Sequence, residues 1–290
     1  MIYLLLSILA SSVIFLVFKL FDLFKINTFQ AIVVNYAIAC AAGIIGYAKP
    51  INLIELPNYS WFGGAVFLGF LFILIFNLMA ITTQRSGLSV VSVSTKMSVV
   101  IPIAFGLFYY NENAGLLKIS GIILALIAVY LVSVKDNTSK LVSKNELLFP
   151  ILVFLGSGII DTTIKYLETS YVEQDDISLF SAVIFLTAFV IGISILMFKV
   201  LRKNEKIKFK NLVGGLALGI PNYYSIYFLV KALRNPQLES SVVFTLNNVG
   251  ILICAVLLGI LFFREKLSRK NWLGFFLALI SIICIAIVKS

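Results

Sequence analysis

Apolar residues are gathered in long stretches along this chain, separated by short polar loops. Stretches able to cross a hydrocarbon core, which takes about 17–25 helical residues, lie at Ile2–Leu20, Phe29–Tyr47, Trp61–Ile81, Leu88–Tyr109 and Leu117–Val134. A second set follows at Leu147–Leu167, Ile177–Val200, Leu212–Leu233, Ser240–Phe263 and Trp272–Val288. Between the sets, residues 135–146 form a polar stretch of the kind that joins two packed units. The pattern predicts an all-α integral membrane protein with ten transmembrane helices: a first five-helix repeat over 1–134, a linker over 135–146 and a second five-helix repeat over 147–290. Met1–Leu20 has no basic leader and no small-residue cleavage signal before its apolar run continues, so it reads as a span and not as a signal peptide.

The two sets repeat each other in detail. Gly106, Glu112 and Gly121 have the spacing of Gly259, Glu265 and Gly274, and Leu124-Ala125-Leu126 is echoed by Leu277-Ala278-Leu279. Self-similarity at a fixed period marks a repeated unit. An odd number of spans per unit makes the second enter the membrane from the opposite face, so the repeats are inverted, a construction used by transporters.

Composition settles the solvent. The chain is 61% hydrophobic and 12% charged, with a mean hydropathy of +1.06. Such a sequence has too little polar surface to cover a soluble core. The net charge of +10 would point to nucleic acid in a soluble protein. Here the basic residues sit in loops beside apolar runs, where retention on the cytoplasmic side and contact with anionic lipid explain them. No nucleic-acid partner is expected; membrane lipid and a small-molecule substrate are.

Sixteen basic residues fall on the loops after spans one, three, five, seven and nine; Lys49, Lys118, Lys231, Arg234 and Lys289 fall on the opposite face, and Lys96 and Lys165 lie within spans. The charge bias therefore places both termini outside.

The chain has no histidine, and Cys40, Cys254 and Cys284 are scattered through apolar runs. Neither a disulfide framework nor a metal site is suggested, and no cofactor is expected. No Walker loop, dinucleotide fingerprint, zincin pair or nucleophile elbow is present, so no catalytic residue is assigned.

Lys96 is the strongest single-site signal. A cation near the middle of a span costs at least about 2.5–3.5 kcal/mol unless water or a partner compensates. It reads either as a ligand for an anionic substrate group in a central cavity, or as a buried lysine with a fixed partner. Asp161 and Lys165 are four residues apart on one helical face, either as a neutralising pair or as a titrating site for proton coupling. After Pro221, the polar stripe of Asn222, Tyr223 and Tyr227 reads as cavity lining or as interhelical hydrogen bonding. Asn77, Asn247 and Asn248 add uncharged donors and acceptors open to the same two readings. Pro102 and Pro221 are the positions able to kink a span during gating. The second repeat has Ala255 where the first has Pro102. Gly215-x-x-x-Gly219 and Ala65-x-x-x-Gly69 read as close-packing motifs. Glu112 and Glu265 stand at span ends, where helix-end hydrogen bonding is the expected role.

Two five-span units, each with an acidic residue after its fourth helix and a glycine nine positions later, resemble the EamA-like members of the drug/metabolite transporter superfamily. The resemblance rests on Ser94–Pro102 through Gly106, Glu112 and Gly121, and on Thr245 through Gly259, Glu265 and Gly274. It implies a secondary transporter of small organic metabolites working by alternating access, with export as the direction and with cytoplasmic termini, against the charge bias. An amino acid or similar solute with an anionic group fits Lys96 and the tyrosines. The alternatives are a membrane-embedded enzyme of lipid or isoprenoid metabolism and a non-transporting scaffold; neither a carboxylate cluster nor a soluble domain supports them. The plasma (inner) membrane is the expected location, and monomer and homodimer are equally compatible with the sequence.

Overall fold

A computed structural model of the protein describes residues 2–50, 52, 54–109, 115–133, 144–203, 206–233 and 240–287. Regular structure among these is helical: α1 (Ile2–Leu23), α2 (Thr28–Ile45), α3 (Phe62–Ser86), α4 (Leu88–Met97), α5 (Val100–Tyr109), α6 (Leu116–Ser133), α7 (Lys144–Ser170), α8 (Ile177–Lys203), α9 (Phe209–Leu233), α10 (Ser240–Phe263) and α11 (Arg269–Ile287), with two short 3₁₀ turns. Seven of the helices are long and apolar enough to cross a membrane, and the shorter apolar segments Leu88–Pro102 and Ile119–Val132 stand beside them. At about 1.5 Å per residue the 22 residues of α1 reach about 33 Å, the thickness of a hydrocarbon core. Outward faces are apolar as well as packed ones: Leu5, Leu9, Phe70, Leu126, Leu216 and Leu257 are all exposed. Hydrocarbon is the surrounding that makes such surfaces stable. The protein is a multi-pass integral membrane protein.

Helix ends follow local chemistry. The Asn27 side chain accepts the Gln30 N–H to start α2. Ser268 and Asn271 exchange backbone and side-chain hydrogen bonds at the start of α11, a capping box. The expected continuous fourth span is instead broken at Ser98–Val99 into α4 and α5. Pro102 has no N–H to give the Ser98 carbonyl; that carbonyl accepts Ile101 N–H at 2.9 Å, a tightened turn. Ser92, Thr95 and Ser98 also turn their hydroxyls back onto carbonyls of the preceding turn, which favours bending.

The chain forms two compact units, and each takes helices from both sequence repeats. The first comprises residues 1–19, 78–159 and 224–290. Its core is a packed group from α4, α6, α10 and α11, with Val93, Met97, Ala125, Ala128, Leu252 and Ala278 fully or almost fully buried. Within it α6 and α11 touch reciprocally. The Ser281 hydroxyl donates to the Gly121 carbonyl at 2.7 Å, and a Cβ on Gly274 would stand 3.0 Å from the Ala128 carbonyl. Ala128 and Ser281 lie seven residues after Gly121 and Gly274. The two contacts therefore fall at matching positions of the two stretches.

The second unit comprises residues 20–77 and 160–223. Tyr36 is fully buried among Phe72, Phe76 and Phe185, and its hydroxyl donates to the Phe72 carbonyl at 2.7 Å. The Gly215-x-x-x-Gly219 face lies on α2: a Cβ on Gly219 would meet Ile38 Cβ at 2.8 Å and the Asn35 carbonyl at 3.0 Å. A Cβ on Gly69 would likewise meet the Ile184 carbonyl of α8 at 2.8 Å. These small residues let backbones approach where a larger side chain has no room.

Candidate functional site

α4 begins at Gly87, whose φ of +101° is a conformation that glycine alone adopts without strain. The turn brings the first N–H groups of α4 against Glu265, in the loop after α10. The Glu265 carboxylate accepts Leu88 N–H at 2.8 Å and the Ser89 hydroxyl at 3.2 Å. An anion there satisfies donors that no helix can satisfy internally and complements the helix dipole. Two glycines make room for it: a Cβ on Gly87 would stand 2.7 Å from one carboxylate oxygen and a Cβ on Gly259 2.6 Å from the other. The repeated Glu and Gly thus have a physical role in the second copy. Glu112 lies outside the described residues.

Lys96, in the last turn of α4, is half-buried and engaged by the surrounding protein. α4 packs against α10, which carries Asn247 and Asn248. Asn247 is 3% exposed and, among the described residues, its Oδ1 has no hydrogen-bond partner; the buried hydroxyl of Ser94, two residues before Lys96 and so on nearly the opposite face of α4, also has none. Leaving such a group unmatched costs about 1–3 kcal/mol, so these positions call for water or a polar ligand. Pro102 is buried just beyond the break in this span, and Tyr227 is exposed in an aromatic group with Tyr224 and Phe228. Lys96, Pro102, Tyr227, Asn247 and Asn248 all belong to the first unit.

Asn77, Asp161, Lys165, Pro221, Asn222 and Tyr223 belong to the second unit. Pro221 lies inside the continuous helix α9. Asn222 is 3% exposed and its amide donates to Asn35 Oδ1 at 3.1 Å. Among the described residues the fully buried Asn35 amide nitrogen has no acceptor. Sequence reasoning passed over Asn35; its signal was an amide well inside the second span, beyond the Gln30 near its start. The Tyr223 hydroxyl approaches Gly46 at the end of α2, where a Cβ would stand 2.9 Å from it. Asn77 turns its amide back onto the Ile73 carbonyl, so its donor is used locally. Asp161 is exposed and has interactions within the protein. The Lys165 side chain lies outside the described residues.

Polar clasps stand at the loop ends of this unit. Tyr47 donates to Asp176 at 3.1 Å, and Lys49 pairs with Asp175 at 3.2 Å. Desolvation, then the hydrogen bond to Asp176, pushes the Tyr47 hydroxyl up to about 12, and its bond with Asp175 raises Lys49. Elsewhere Asn27, Gln30 and Asn211 form an amide chain: Asn211 Oδ1 accepts Asn27 N–H at 3.0 Å, and its amide donates to Gln30 Oε1 at 2.6 Å.

Comparison with known proteins points one way. Residues 144–287 match the EamA-like transporter family. An uncharacterized protein of Haemophilus influenzae strain Rd is 26% identical over 261 residues, covering 88% of this chain and 87% of that protein. A solved crystal structure shares the fold with a TM-score of 0.57 at 14% identity, covering 96% of this chain and 95% of that one.

Proposed function

Residues 144–287 place this protein in the EamA-like transporter family of the drug/metabolite transporter superfamily, and on that premise we propose that it is a secondary carrier exporting a small organic metabolite by alternating access. The observation that carries the substrate reading is Lys96, a half-buried cation in the apolar segment Leu88–Pro102. A charge held in such a segment against its desolvation cost is a functional group by default. Its ammonium takes the anionic group of an amino acid or similar solute. Asn77, Asn222, Tyr223, Tyr227, Asn247 and Asn248 supply uncharged and aromatic contacts. Asp161 with Lys165 couples proton movement, and Pro102 and Pro221 give the spans their points of flexure.

The reciprocal contacts of α6 and α11 support ten spans arranged as two inverted repeats, over 1–134 and 147–290, joined by the 135–146 linker. Inverted repeats expose a site alternately to the two faces by rocking of equivalent halves.

The test is purified protein in liposomes, assayed for uptake and counterflow with pooled metabolites, with and without a proton gradient. Lys96→Met is expected to insert normally, since it removes an intramembrane cation, and to abolish transport. Lys96→Arg keeps charge with altered geometry and is expected to retain partial activity with changed preference. Unchanged transport by Lys96→Met refutes the role.

A further inference from the structure

A cavity of about 490 Å³ in the first unit is independent of the transport residues. It lies where α1, α3 and α6 end and the α10–α11 loop passes. Three cations line it, Lys19, Arg85 and Lys266, with Glu265 as its acidic member. That carboxylate is turned onto the start of α4, and among the described residues it makes no ion pair with the three. Lys19 donates to the Thr83 carbonyl at 3.4 Å, which holds its ammonium at the rim and leaves two further hydrogens to give. Val90, Val132 and Leu267 supply an apolar wall.

The Arg85 guanidinium lies over the Phe149 ring at 5.0 Å and is engaged by the surrounding protein, and the Glu265 carboxylate is taken up by the start of α4, so Lys19 and Lys266 give this lining its excess of positive charge. The cavity is far larger than a halide or carboxylate needs, and its mixed lining suits a tetrahedral oxyanion with an organic substituent. We propose that this cavity binds a phosphate-bearing anion, held by Lys19 and Lys266. Anionic lipid headgroups and free phosphate esters share that chemistry, and basic clusters at membrane helix ends are where such groups are met.

The experiment is native mass spectrometry of the full chain in uncharged detergent, titrated with phosphatidylglycerol or phosphatidylcholine, and separately with glycerol 3-phosphate and inorganic phosphate. Removing two lysines in Lys19→Gln/Lys266→Gln is expected to weaken binding by about thirtyfold. The control Lys206→Gln/Lys208→Gln removes the same charge from exposed positions of the other basic loop, and is expected to stay within about twofold of wild type. Lys19→Arg/Lys266→Arg is expected to restore binding. Should the glutamine pair lose its folded melting transition, Lys266→Gln alone, at an exposed position, is read for about a fivefold loss. Retention of phosphatidylglycerol that glycerol 3-phosphate does not displace assigns a lipid headgroup; binding of the soluble esters at comparable strength assigns a free phosphate. Equal losses in the two double variants, or no loss in either, overturn the site.

Discussion

Glu265, Gly259 and Gly87 make a three-residue test of how α4 is held. Glu265→Ala removes the acceptor of the Leu88 N–H, which belongs to a fully buried residue. Loss of a cap and its dipole complement, with a buried donor left unmatched, is expected to cost about 2–3 kcal/mol. Gly259→Ala puts a methyl 2.6 Å from one carboxylate oxygen, so it displaces the carboxylate and costs a similar amount. In the Glu265→Ala background that clash is gone; the next contact, the Ser89 hydroxyl, is at an ordinary 3.5 Å. There Gly259→Ala is expected to be neutral, or stabilising by up to about 1 kcal/mol through helix propensity. Gly87→Ala behaves differently. Its φ of +101° disfavours any side chain, so a strain cost of about 1–3 kcal/mol is expected to persist in the Glu265→Ala background, with the clash against the carboxylate at 2.7 Å added in wild type. The assay is a double-mutant cycle on denaturant unfolding in detergent, followed by the fluorescence of Trp272 near the start of α11. Additive effects of Gly259→Ala and Glu265→Ala would refute the reasoning, as would removal of the Gly87→Ala penalty by Glu265→Ala.

Other outcomes follow from the same contacts. Repeat spacing makes Glu112 the counterpart of Glu265, and Glu112→Gln is expected to lower unfolding stability to a similar extent as Glu265→Gln; a silent Glu112→Gln would break the equivalence. Asn35→Ala and Asn222→Ala are expected to couple by about 1 kcal/mol in a double-mutant cycle, a typical strength for hydrogen bonds between membrane helices, and zero coupling would dismiss the contact. Asp161→Asn is expected to weaken proton-driven accumulation more than counterflow in liposomes, whereas equal loss of both would indicate a structural role. Tyr47 donates to Asp176 only while protonated, and its pKa is raised from 10.0 to about 12. Its contribution to folding is therefore complete below pH 10 and lost as pH rises through about 12. A phenolate absorbance titration of wild type minus Tyr47→Phe is expected to show the late-titrating component, and an ordinary midpoint would refute the clasp.

Much of the architecture was legible in one dimension, because a membrane imposes its constraints residue by residue. A run such as Ile2–Leu20 or Ile177–Val200 has only one stable use in water-free surroundings, a helix that satisfies its own backbone. The Gly and Glu spacing that signals the family was likewise plain in the string. Pairing was not. When both faces of a helix are apolar, nothing in its own sequence says which face meets which neighbour. Asn35 is an isolated amide until α9 brings Asn222 to it, and Glu265 is a loop carboxylate until the positive-φ turn at Gly87 delivers the start of α4, 177 residues distant along the chain. The break at Ser98 was half-visible: Pro102 removes one hydrogen bond by its chemistry, but only the packed fold decides that the turn tightens and α4 and α5 separate there. Sequence alone determined the solvent, the helical runs and the family signature, because these depend on composition and local spacing. Tertiary structure decided the partners, because helix packing inside a membrane is chosen by shape and by a few buried polar contacts, not by hydrophobic burial.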